Sequence, residues 1–153
     1  MPTLAPGQPI KVAILALLNQ LVVAGTLGTA ISYDLSKNPL SDANLTNLYP
    51  VALLGTAKVE SRYVLNTSNE RTYTFPVMVI SKLDNVSDGQ TGIETLVDAV
   101  LNTFDSNPTL DGACQMLEAT GTPMAGISTP DQQYSLFLIE LKAHVVIDLT
   151  FTF

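Results

Sequence analysis

Every second residue from Phe137 to Phe153 is apolar: Phe137, Ile139, Leu141, Ala143, Val145, Ile147, Leu149, Phe151 and Phe153 stand against Glu140, Lys142, His144, Asp148, Thr150 and Thr152. A period of two puts alternate side chains on opposite faces of a β-strand, so this run is a strand with one face against a core. At a rise of about 3.3 Å per residue it reaches roughly 60 Å, far beyond an ordinary strand. It is therefore predicted to bend, break or leave the domain, with Phe151 and Phe153 at its tip free to pack on a neighbouring subunit.

Two segments have the other period. Ile10, Ile14, Leu17, Leu18 and Leu21 share one helix face, with Pro9 near the first turn and Gly25 as the stop. Thr91-Gly92-Ile93-Glu94 reads as a capping box opening a helix over 91–104, whose apolar residues Ile93, Leu96, Val97, Val100, Leu101 and Phe104 repeat at helical spacing before Asn107-Pro108. Between them lie a strand over 27–33, a polar loop over 34–47, and two β-like runs, 49–65 and 72–83, joined as a hairpin by Asn66-Thr67-Ser68-Asn69. Pro76 cannot donate to a ladder and predicts an edge position or a bulge there. Asp111-Gly112 turns the chain into a short strand over 113–119, and 120–133 reads as a loop. The expected fold is α+β: an antiparallel or mixed β-sheet with two amphipathic helices packed on it, in the order α-β-β-β-α-β-β, as a single domain over 1–153. Neither a repeat nor a linker is visible.

Composition narrows the function. With 7 basic against 14 acidic residues and no Lys/Arg cluster, gripping nucleic acid through its phosphates is disfavoured. With 46% hydrophobic and only 14% charged residues, some apolar surface is expected to face partners. The stretch Ile10–Ala24 is shorter than a membrane span and is interrupted by Asn19-Gln20. Secretion is thus not expected, and the triplets at Asn44, Asn66 and Asn85 are read as polar loops rather than glycosylation sites.

The residues that could carry chemistry are few. Cys114 and His144 are the sole cysteine and histidine, which leaves little for nucleophilic catalysis or a soft-metal site, and a lone cysteine forms no internal disulfide. Asp84-Asn85-Val86-Ser87-Asp88-Gly89 begins like a calcium loop but has Val86 at the third position and Thr95 at the twelfth. Gly25, Gly28, Gly89 and Gly92 lack phosphate-loop spacing. No catalysis, metal or cofactor is expected. Glu60, Arg62, Glu70 and Arg71 instead place alternating charges near the hairpin tip, either a solvated end or a surface for a complementary partner.

The order of elements, the capped helix 91–104, the Asp111-Gly112 turn, the Tyr49-Pro50 entry into a strand and the long closing strand together resemble the tail terminator proteins of long-tailed bacteriophages, over nearly the whole chain. The resemblance implies a structural virion protein at the tail–neck junction, assembled in the host cytoplasm. It implies a homo-hexameric ring that caps the tail tube, stops its polymerisation and meets a head completion or connector protein. DNA would pass through the lumen without specific binding, no membrane would be involved, and Glu60, Arg62, Glu70, Arg71, Phe151 and Phe153 are the candidate interface residues. The competing readings are another neck or minor tail protein, such as a head-closure protein, and a small-molecule-binding or enzymatic domain, which would need a concave pocket with convergent polar groups.

Overall fold

The computed structural model describes residues 6–45, 48–65, 68–83, 86–128 and 132–148, with the backbone alone at 64, 65, 83, 86–92 and 148. Among the described residues are two helices, α1 (Gly7–Val23) and α2 (Val86–Asp105), and strands β1 (Thr29–Ser32), β2 (Val51–Leu54), β3 (Lys58–Leu65), β4 (Ser68–Leu83), β5 (Met116–Pro123), β6 (Ile127–Ser128) and β7 (Gln133–Asp148). The strands form one mixed sheet of order β1-β2-β4-β7-β5, with β3 beside β4 and β6 beside β7. β1 and β2 run parallel, and the other described pairs are antiparallel. This is the expected α+β class and order, with the run 49–65 divided into β2 and β3 and the short β6 added from the loop 120–133.

The long closing strand runs unbroken and paired as far as Asp148. Over its described part β7 is 16 residues, and β4, also 16 residues, pairs with it from Ser68↔Asp148 to Leu83↔Gln133. A ribbon roughly 50 Å long is stable because two strands of equal length satisfy each other's backbone. β4 thus begins four residues before the expected Thr72. Phe151 and Phe153 lie outside the described residues.

Pro76 sits inside β4, with Glu140 of β7 opposite, so the strand is internal there. On the other side Leu54 faces Val77 and Lys58 faces Thr74, so Gly55, Thr56 and Ala57 stand opposite only Phe75 and Pro76. That extra residue is a bulge, and the missing N–H of Pro76 falls at it; its carbonyl still accepts from Gly55 N–H at 2.8 Å.

α1 closes as its sequence predicts. Gly25 takes φ 82°, and Gly25 N–H bonds Val22 O while Thr26 N–H bonds Leu21 O, the paired bonds of a Schellman end. α2 departs from expectation at its start. It opens at Val86, which leaves Thr91 inside the helix and replaces the capping-box start. The strand expected at 113 begins at Met116, because Leu110 (φ 48°), Asp111 (φ 57°) and Gly112 (φ 87°) lengthen the turn.

Both helices lie on one face of the sheet. Ile10, Ile14 and Leu18 of α1 and Val97, Val100 and Phe104 of α2 pack on Phe75, Val77, Val79, Ile139 and Leu141. Each such side chain, fully buried, contributes roughly 1.5–3 kcal/mol. The expected polar loop 34–47 is, over its described residues 34–45, more than a loop. It carries two 3₁₀ turns, Pro39–Ser41 and Ala43–Leu45, and covers the opposite face at one end with a second core of Leu45, Val51, Leu53, Ile80, Tyr134 and Leu136. Tyr49 packs at this core's margin against Tyr134, with ring centroids 5.5 Å apart, and burial pushes its hydroxyl up to about 12.

Candidate functional site

Among the described residues, neither the helices nor loop 34–45 covers one face of the far half of the ribbon. Cross-strand register places Lys58, Thr74 and Lys142 in one row with Glu118. Glu60, Thr72 and His144 form the next with Met116, and Arg62, Glu70 and Val146 the third. Of the residues expected at the hairpin tip, Glu60, Arg62 and Glu70 therefore share this open face. Arg71 does not: it pairs with Ser61 and Val145 and faces the other way.

Charges on the open face are paired across and along the strands. Arg62 reaches Glu70 at 2.9 Å and Lys58 reaches Glu60 at 3.2 Å. His144, on the polar side of the closing strand as its alternation predicts, stands at the centre: Nδ1 lies 3.1 Å from Thr72 Oγ1 and 3.6 Å from Glu70, and Nε2 lies 3.5 Å from Glu118. The two carboxylates approach opposite edges of the imidazole, so a single ion cannot take both with the ring. Among the described residues no group of three or more His, Cys, Asp or Glu side chains is arranged to hold a metal. A shallow depression of about 360 Å³ on this face is lined by Thr56, Lys58, Glu60, Thr74, Glu140 and Lys142.

Cys114 is held elsewhere, in the helix-side core, where its thiol reaches Pro108 O at 4.0 Å. His144 turns to the open face, so the sheet separates the only thiol from the only imidazole. Burial raises the Cys114 pKa, against a smaller lowering by Met116 N–H. The native thiol is expected to react with a maleimide at neutral pH on the order of a hundredfold more slowly than in urea, as measured by mass shift.

A groove of about 710 Å³ runs between α1 and residues 106–113. Its walls include Pro9, Val12, Ala16, Leu17, Pro108 and Leu110, and Asp111 is the sole ionisable residue lining it. Ser106 and Thr109 line it as well, and neither the Cys114 nor the His144 side chain is among its walls.

Exposed apolar side chains collect at the margins. On α1, which packs over β1, Val12 and Val23 are 57% and 89% exposed. At the opposite margin Met116, Met124 and Ile127 of the β5–β6 side are 53%, 41% and 40% exposed. No described helix is long and apolar enough to cross a membrane. Comparison with protein-family models finds no match, and comparison with curated proteins finds none either.

Proposed function

We propose that this chain is a structural ring protein of the tail-terminator type, which caps a phage tail tube, stops its growth and offers a joining surface to the head connector. The observation that carries this reading is that exposed apolar side chains of different kinds stand at the two margins of the sheet, Val12 and Val23 along α1 and Met116, Met124 and Ile127 along the β5–β6 side. A ring needs heterologous contacts, in which one patch of each copy meets a different patch of the next. The net charge of −7 fits a lumen through which DNA slides without being held. The protein acts in this reading without turnover, at the tail–neck junction of the virion.

The test is electron microscopy of the purified chain mixed with tail tubes. Rings seated on tube ends, with tubes no longer elongating, are the expected result. The double variant Val12→Lys/Met116→Lys should abolish rings while shifting stability by no more than about 1 kcal/mol, since both positions are more than half exposed. Tube ends left bare by the wild-type chain would overturn the proposal, and ring formation undisturbed by the double variant would remove these two margins from it.

A further inference from the structure

β3 is an unusual edge. Every residue from Lys58 to Tyr63 is exposed, on both faces of the strand, including Val59 at 51% and Tyr63 at 74%. Among the described residues it pairs only with β4, and its sequence, Lys58–Leu65, holds neither Pro nor Gly. A row of unpaired backbone N–H and C=O groups flanked by β-branched and aromatic side chains is a template for another strand. The opposite edge, β5, is blunted at its two ends. There Leu117 N–H is already bonded to Pro108 O at 2.7 Å, and Pro123 has no N–H to offer.

We infer that β3 pairs antiparallel with β3 of a second copy, about a two-fold axis at Ser61. In that register Glu60 meets Arg62 of the other copy and Arg62 meets Glu60, giving two opposite-charge pairs on the open face. On the other face Val59 meets Tyr63 and Tyr63 meets Val59, an aromatic–β-branched pair repeated twice. Shifting the centre by one residue, to Glu60 or Arg62, sets like charges opposite each other and leaves Val59 or Tyr63 without its apolar partner. Arg62 already touches Glu70 at 2.9 Å on its inner side, so its guanidinium would lie between two carboxylates, Glu70 and the neighbour's Glu60, with donors for both. The contact is isologous and closes at two copies. It goes beyond the ring reading and stands whether or not rings form.

The experiment is sedimentation of the full chain over a concentration series, read against the monomer mass of 16.3 kDa. Glu60→Arg gives a copy with two cations at the contact and Arg62→Glu a copy with two anions. Each variant alone should self-associate on the order of tenfold or more weakly than the wild type, because two attractive cross-strand pairs become repulsive. An equimolar mixture should recover association, because every charge pair across the contact then joins a cation of one variant to an anion of the other. Ser61→Cys should form a disulfide-linked dimer under mild oxidation, while native Cys114, buried in the core, does not compete. A wild-type chain without a two-fold species at any concentration overturns the inference. So does association unchanged in both variants, or a mixture no tighter than its components. The readout is the change on mixing, so it is separate from the presence or absence of rings on tubes.

Discussion

Replacing Gly28 by alanine is expected to destabilise the fold by about 4 kcal/mol or more, a loss of roughly 8–16 °C in Tm for a chain of this size. Gly28 leads into β1, and its N–H donates to Pro50 O at 2.7 Å, which ties the start of β1 to the start of β2. A Cβ at this position would fall on the carbonyl oxygen of Leu48, 2.6 Å from its carbon and 3.2 Å from Tyr49 O. These are backbone atoms, and no side-chain rotation relieves the overlap. Either the bond to Pro50 is lost or segment 48–50 moves, and with it Tyr49, which packs against the second core. Thermal unfolding followed by circular dichroism checks this; a Tm within about 2 °C of the wild type would show that the close approach is dispensable.

Truncating Phe104 to alanine is expected to cost about 3–5 kcal/mol. Phe104 is 1% exposed and belongs to the core that α2 shares with α1, β4 and β7, so its loss leaves a cavity among residues held by two helices and the sheet. Urea denaturation should show a lower midpoint with little change in slope. Val12→Ala, on the exposed side of α1, is the internal control and should change stability by less than about 0.5 kcal/mol. Comparable losses for the two would mean that α1 is packed the other way round.

The frame of this fold was readable in the sequence wherever one period ran long enough. The alternation after Phe137 defined β7 and its buried face, since Ile139, Leu141, Ala143 and Ile147 are all buried. The spacing of Ile10, Ile14 and Leu18 likewise marked the inner side of α1. Short-range signals were weaker. Thr91 and Glu94 match a capping box, yet the same spacing fits inside a helix, and the start at Val86 left no distinct mark. Segment 34–47 looked like a polar loop because its apolar residues Leu35, Leu40 and Leu45 come every fifth residue, which is neither the strand nor the helix period; they become a core only when Val51, Ile80 and Leu136 are brought beneath them.

The candidate interface was legible in composition rather than arrangement. Glu60, Arg62 and Glu70 could be singled out as alternating charges near a turn, but that Arg71 faces away depends on strand register, which a one-residue slip would reverse. The position of His144 between Glu70 and Glu118 was not readable at all, because it joins three strands whose order depends on how the chain crosses the sheet.

The proposed ring, in which copies of the chain cover one another and meet a tubular neighbour, is tested most directly by the mass of the assembled form. Native mass spectrometry of the purified chain, alone and after incubation with tail tubes, should show an assembly of several copies of the 16.3 kDa protomer, with a closed six-copy ring as the form on tube ends. A protein that remains at 16.3 kDa in both samples, at every concentration tried, would contradict the account.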